Sequence, residues 1–324
     1  MKRAFSVRWL ILLAFTSFAL SASIACFVAE RLPSSGCIAL AADNQSQQRS
    51  TSSAAPRFAR GTKCGVLQSE ELNEVSGIAA SRKNAGVLWV HNDSGDKARI
   101  FAITSDGTLL GTYNLVGVDA RDWEDIAVGP GPERGESYIY IGDIGDNNAA
   151  RPMVFIYRVR EPSVCISQRS LQADIDNVER IALKYEDGPR DAEVVMVDPR
   201  NGDLYIVSKR ASRSKVYRVR SWELVNGATV TMRAVAQLPW GWATGGDISP
   251  DGNEIIIRGY ANAAVWKRPE SGELWRAFEG AQYNVPIEKE PQGEAICFDA
   301  AGKGYYTTSE GKGAAIYFYA LLAE

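Results

Sequence analysis

From residue 74 to the C-terminus, short apolar runs alternate with Gly-bearing polar turns, and the arrangement recurs five times. The segments are EVSGIAASRKNAGVLWVHNDSGDKARIFAI from 74, WEDIAVGPGPERGESYIYIGDIGDNNAARPMVFIYRV from 123, AEVVMVDPRNGDLYIVSKRASRSKVYRV from 192, TGGDISPDGNEIIIRGYANAAVWKR from 244 and GEAICFDAAGKGYYTTSEGKGAAIYFYA from 293. Each opens on an apolar strand, turns through a Gly, and continues into a second strand rich in Tyr, Ile and Val. β-Branched and aromatic runs of this length read as strands, and Gly, Asn and Asp supply the positive φ angles of tight hairpins. After a polar elbow, third strands are predicted at 99–103, 154–159, 215–219, 264–267 and 315–319. The segments between repeats supply outer strands at 108–115, 178–185, 229–238 and 274–285. No useful stretch carries helical periodicity.

Four antiparallel strands per repeat is the signature of a β-propeller blade. The expected fold is therefore all-β, a five-bladed propeller. Six blades is the alternative, because the interval from 123 to 192 has room for a degenerate blade around 164–185. The fifth repeat ends after three strands. The isolated run GTKCGVLQ (61–68) is predicted to complete it, closing the ring and removing open sheet edges.

Composition and the N-terminus refine this picture. The 324 residues could hold two average domains, but all-β units reach this size alone. A net charge of −3 gives no basic character for nucleic-acid binding. Lys2, Arg3 and Arg8 precede an apolar stretch from Trp9 to Ala29, which reads as an export signal within 1–41. Ser23-Ile-Ala25 and Ala39-Leu-Ala41 are alternative cleavage sites, and Cys26 or Cys37 would serve a lipoprotein signal. An uncleaved anchor is the other reading, since about 20 apolar residues span a bilayer. Residues 42–60 are too polar to bury a core and read as a disordered tether, with the propeller domain at 61–324. Cys64, Cys165 and Cys297 are spaced for neither a disulfide framework nor a metal knuckle, and three buried thiols are expected, with a single bridge as the alternative.

Stacking the repeats aligns two columns of chemistry. The first, opening the inner strand, contains Ser76, Glu124, Glu193, Thr244 and Glu294. Three glutamates converging on one mouth of the channel raise one another's pKa unless a positive partner neutralises them. Ca²⁺, which takes six to eight oxygen ligands, would do so. Two of the glutamates would also serve a glycosidase, and bonding to backbone N–H groups is the structural alternative. The second column is the elbow after strand two. HNDSGD (91–96) contributes His91, Asn92, Asp93 and Asp96, and GDIGDN (142–147) contributes Asp143, Asp146 and Asn147. The later repeats add Ser208, Lys209 and Arg210; Arg258 and Tyr260; and Ser309 and Glu310. His91, Asn92, Asp93, Asp96, Asp146, Tyr260 and Glu310 are the candidate ligand-binding residues. Asp143 is a candidate base, and Lys209, Arg210 and Arg258 are candidates to neutralise substrate charge.

The single histidine excludes a typical zinc site, and a Ser-His-Asp triad would need His91 with partners too close along the chain. GPGPERGES lacks the Lys-Ser/Thr of a phosphate loop. Neither elbow matches an EF-hand.

The stretches DWEDIAVGP, YIGDIGDN, YRVREP, AEVVMVDPRNGDLYIVSK and GEAICF resemble an uncharacterised group of secreted bacterial β-propeller proteins. More distantly they are similar to phytase-like, esterase-like and lactonase-type propellers. The resemblance covers most of 62–320 and implies fold more than chemistry. In the lactonase-type family a carboxylate opening an inner strand is a calcium ligand, and Glu124, Glu193 and Glu294 resemble that position.

The expectation is an exported, monomeric binding or scaffolding propeller with a calcium site at the mouth. A small-molecule or protein ligand would bind there, and membrane contact would come only through an uncleaved N-terminus. A metal-assisted hydrolase of a phosphoester or lactone and a glycoside hydrolase are the alternatives.

Overall fold

The computed structural model describes residues 55–323. The export segment and residues 42–54 of the tether lie outside the described residues. The strands are β1 (Thr62–Val66), β2 (Val75–Ala80), β3 (Val87–Asn92), β4 (Arg99–Thr104), β5 (Leu109–Leu115), β6 (Trp123–Pro130) and β7 (Ser137–Asp143). They continue as β8 (Val154–Arg160), β9 (Leu171–Ile175), β10 (Glu179–Tyr185), β11 (Ala192–Val197), β12 (Leu204–Ser208), β13 (Lys215–Val219) and β14 (Thr229–Gln237). The last are β15 (Gly245–Ile248), β16 (Glu254–Arg258), β17 (Ala263–Lys267), β18 (Tyr283–Val285), β19 (Gly293–Phe298), β20 (Gly304–Ser309) and β21 (Ala315–Ala320). Among the described residues, helix is confined to two short 3₁₀ turns, Ser221–Glu223 and Leu274–Glu279. The second takes the place of the first half of the strand expected at 274–285.

The architecture is an all-β propeller of repeated antiparallel meanders. Their first strands pack in a closed circuit: β2 beside β6, β6 beside β11, β11 beside β15, β15 beside β19, and β19 beside β2. Burial follows position in the meander. Every residue of β2, β11 and β19 is buried, whereas outer β14 alternates exposed and buried positions along its first half. A strand covered on both faces needs a continuous apolar run, while a half-covered strand needs alternation. The sequence pattern matches each case.

The core lies between neighbouring sheets. Trp89 and Tyr113 meet Trp123 and Ile141 in one layer, and Tyr140 and Ile156 meet Val195 and Tyr217 in the next. Val194 and Tyr205 pack with Ile257 and Trp266; Ile256 and Val265 with Tyr305 and Tyr319; and Cys297 and Ile316 with Leu88 and Phe101. Two buried acids staple inner strands to their neighbours. Asp125 accepts N–H bonds from Ile126 and Val195, each at 2.9 Å, and Asp247 accepts from Ile248 at 2.8 Å and Phe298 at 2.9 Å.

The N-terminal strand joins the last meander as expected, with β1 antiparallel to β21. The tether, however, ends earlier than residue 60. The Ala59 N–H bonds to the Ala320 carbonyl at 2.8 Å, and buried Phe58 packs edge-on against Tyr305 at 4.9 Å. One aromatic anchor outweighs the polar composition around it. The cysteine expectation also needs correction: of the three, Cys297 alone is buried, while Cys64 is half-buried and Cys165 is exposed.

Two outer edges are covered in an unexpected way. The segment 161–178 leaves β8 and returns to the first meander, where β9 pairs parallel with β5. Strand β10 pairs parallel with β14, so β6 to β8 and β10 to β14 form a single eight-stranded sheet.

Candidate functional site

The inner-strand column owes its geometry to a repeated irregularity. The pairing register slips by one residue at Ser76, Glu124, Glu193 and Glu294, each near the start of its inner strand. Such a bulge leaves the extra residue unpaired and re-aims its side chain. Thr244 stands just before β15, with its N–H on the Arg258 carbonyl at 2.9 Å. The two hydroxyls face the neighbouring strand: Ser76 donates to the Glu124 carbonyl at 2.6 Å and Thr244 to that of Gly293 at 3.5 Å.

The three glutamates are all buried, but they divide into two environments. Glu124 and Glu193 stand in a carboxylate cluster with Asp93, Asp122 and Asp191. One ligand oxygen each from Asp93, Asp122 and Glu124 lie within 4.8 Å of one another, and the same holds for Glu124, Asp191 and Glu193. These two triads are the sets of described residues able to hold a hard cation. Glu294 lies to the side, accepting from the Tyr260 hydroxyl at 3.2 Å, with the Lys209 ammonium at 3.9 Å. Lys209 also pairs with Glu193 Oε1 and lies 5.0 Å from the Tyr260 ring centroid.

Electrostatics follow from this crowding. Burial, then Glu193, Asp93, Asp122 and Asp191, hold the Glu124 carboxyl well above the usual carboxylate range. Burial pushes Glu193 up to about 8 against the pull of Lys209, and pushes Asp93 up to about 6. Asp122 is raised by burial, with Asp191 and Asp143 adding to it. Glu310 is pushed up to about 8, first by burial and then by its hydrogen bond to Glu294. Carboxyls this crowded and buried favour the protonated form unless a positive charge stands among them.

Two ligand-type residues, Asp122 and Asp191, escaped the sequence reading. Asp191 accepts the Asp146 N–H at 2.9 Å on one oxygen and Arg210 Nε at 2.7 Å on the other. Gly145 makes room for Asp122: a Cβ there would collide with both Glu124 Oε1 and Asp122 Oδ2, so these oxygens converge over its Cα.

The elbow residues are sorted sharply. His91 is fully buried, its Nδ1 2.8 Å from the Asn92 carbonyl and its ring 5.9 Å from Trp123, and burial lowers its pKa to about 4. It is a neutral core residue rather than a ligand-binding one. Asn92 holds the turn by donating to the Glu71 carbonyl at 2.7 Å and to Asp96 at 2.8 Å, and Asp96 pairs with Arg99 at 2.8 Å. Asp146 caps the N–H groups of Ala150 and Arg151 at 2.9 and 2.7 Å, and Asn147 accepts from Arg210.

Asp143 does not fit the role of a base, because Arg151 binds it at 2.6 Å in a buried pair. Arg258 does not face the mouth as a charge neutraliser. It is fully buried and donates to Glu290 at 2.7 Å and to the Ala295 carbonyl at 3.1 Å. Ser208 receives the Lys215 N–H at 2.9 Å, and Ser309 receives that of Gln292 at 3.1 Å. The rim is left to Asp93, Arg210 and Tyr260, joined by exposed Trp242, whose ring lies 5.7 Å from the Arg210 guanidinium.

No protein-family model matches this sequence, and no curated protein matches it. Among solved structures, the chain is similar to one in a nidogen/laminin complex, at 15% identity and a TM-score of 0.41, covering 79% of this chain and 85% of that one. It is also similar to a luciferin-regenerating enzyme, at 10% identity and a TM-score of 0.42, covering 79% of this chain and 94% of that one.

Proposed function

We propose that this protein is an exported five-bladed β-propeller that binds calcium at its carboxylate-lined mouth and serves as a binding or scaffolding protein of the cell envelope. The blade count is supported by the five inner strands in circuit, and by the 21 strands of the described residues dividing into five four-stranded meanders plus β9. Export is supported by the basic residues and apolar run at the N-terminus and by the resemblance to secreted bacterial propellers.

One observation carries the calcium reading. Glu124, only 5% exposed, belongs to both carboxylate triads, and its carboxylate has no hydrogen-bond donor or ion-pair partner among the described residues. A buried carboxylate costs several kcal/mol unless it is paired. An all-oxygen ligand set selects a hard cation over zinc or copper. The partner or small molecule served by the site would approach over Arg210, Trp242 and Tyr260.

A metal-assisted hydrolase is the second reading, favoured by the Glu294–Glu310 pair. A carboxyl of this hydrogen-bonded pair would serve as general acid–base toward a substrate whose scissile group the cation polarises. Burial of Glu124, Glu193 and Glu294 weighs against a glycoside hydrolase, which needs a carboxylate pair open to a sugar ring.

Calorimetric titration of calcium into the wild type and Glu124→Gln tests the proposal. Saturable binding in the wild type, lost or weakened at least tenfold in the variant, is expected. Absence of binding at millimolar calcium would remove both the calcium and the hydrolase readings.

A further inference from the structure

We infer that the mouth holds two divalent cations side by side, with the Glu124 carboxylate bridging them. The inference rests on the calcium reading above and adds number and arrangement to it. Glu124 is the one residue common to the two triads, and the remaining members lie on different elements. Asp93 follows β3 and Asp122 precedes β6, whereas Asp191 precedes β11 and Glu193 belongs to it. With calcium–oxygen distances of about 2.3–2.6 Å, oxygens on opposite sides of one ion stand roughly 4.6–5.2 Å apart. The ligand oxygens of each triad, all within 4.8 Å of one another, are close enough to share one ion.

Each triad contains a buried group with an unmet need. On one side Glu193, 4% exposed, gives Oε1 to Lys209, while its Oε2 is buried without a hydrogen-bond partner. On the other, Oε1 of partnerless Glu124 and Oδ2 of Asp122 converge over Gly145, where any side chain would fill the space between them. Asp191 is already bonded to Asp146 and Arg210. A carboxylate offers about four lone-pair positions, so it retains capacity for an ion.

Charge favours two ions over one. The five carboxylates of the two triads, Asp93, Asp122, Glu124, Asp191 and Glu193, face two basic side chains, Lys209 and Arg210, which pair with Glu193 and Asp191. Five carboxylates against two cations leave a formal charge of −3 when all are ionised, and counting the neighbouring Glu294 and Glu310 makes it −5. One divalent ion leaves the buried site negative on either count, and a second brings it within one charge of neutral. Ions sharing a bridging carboxylate sit about 3.5–4 Å apart in two-metal centres.

Native mass spectrometry of the full-length chain, stripped with chelator and reloaded with calcium alone, counts the ions. Two are expected in the wild type, one in Asp93→Asn, one in Glu193→Gln and none in Glu124→Gln, with near-ultraviolet circular dichroism checking that each variant folds. A measurement free of substitutions uses manganese as probe: electron paramagnetic resonance of the loaded wild type should show an exchange-coupled pair. One bound ion in the wild type overturns the two-cation inference while leaving the calcium reading in place. Two ions with uncoupled spectra also overturn it, by placing them apart. No bound ion means that the calcium reading itself fails.

Discussion

Glu124 on β6 and Glu193 on β11 bring carboxylate oxygens within 4.8 Å of each other across neighbouring inner strands. Both stand at register slips. Two like charges at that distance in a buried setting repel strongly, and the fold tolerates them only with protons, Lys209 or a cation between.

Stability should therefore depend on pH in a sense opposite to that of ordinary salt-bridged acids. Glu193 and Glu310 are pushed up to about 8 and Asp93 to about 6, chiefly by burial, so the folded state holds protons that the unfolded chain releases near pH 4. A raised folded-state pKa gives stabilisation that is complete below the unfolded value and lost as pH rises through the folded one. In chelator, the melting temperature should fall by several degrees between about pH 6 and 8. Millimolar calcium should reduce that fall, removing the part due to Glu193 and Asp93 and leaving the part due to Glu310. Thermal unfolding followed by circular dichroism, with and without calcium, checks both.

Lys209→Met removes the ammonium that pairs with Glu193 and stands 3.9 Å from Glu294. Breaking a buried pair from one side costs about 3–5 kcal/mol, and urea unfolding at pH 8 in chelator should show a loss of that size. Calcium should restore most of it, and calcium affinity should rise because the competing cation is gone. An equal loss with and without calcium would place Lys209 outside the site's electrostatics.

Gly145→Ala places a methyl group where Glu124 Oε1 and Asp122 Oδ2 converge. Calorimetry should show calcium binding weakened at least tenfold. Gly95→Ala is the control for alanine in a polar elbow, because no atom lies within 4 Å of a Cβ there, although its φ of +94° adds backbone strain. Calcium affinity should survive that change.

Asp125→Asn tests the staple between β6 and β11. An amide has one acceptor oxygen where the carboxyl serves the N–H groups of both Ile126 and Val195. An unsatisfied buried donor costs about 1–3 kcal/mol. The midpoint of urea unfolding should drop accordingly, with calcium stoichiometry unchanged because Asp125 lies outside both triads.

The repeat was legible because blade packing imposes the same apolar pattern on every meander, and the third strands appear where the stacked segments put them. The carboxylates at the register slips were legible for the same reason, as one column of residues. Asp122 and Asp191 were also written in the chain, as Arg121-Asp122-x-Glu124 and Arg190-Asp191-x-Glu193. Alternate residues of an extended segment share a face, so each pair could have been read as two ligands on one side. The fates of His91, Arg258 and Asp143 were not legible. Each depends on a lateral partner: Trp123 from the next meander, Glu290 from the loop before β19, and Arg151 across the elbow. Periodicity within one repeat carries no information about such neighbours.

The parallel seam between β10 and β14 bears on how such a ring can change its number of repeats. Meanders that touch only through side chains can be duplicated or deleted as whole modules, since every junction is equivalent. Here the second and third meanders share backbone hydrogen bonds at their outer margin, so inserting a copy between them would sever the seam and expose two strand edges. Lineages with more or fewer repeats should have gained or lost them elsewhere in the ring, and circular permutants opened between residues 185 and 192 should fold worst.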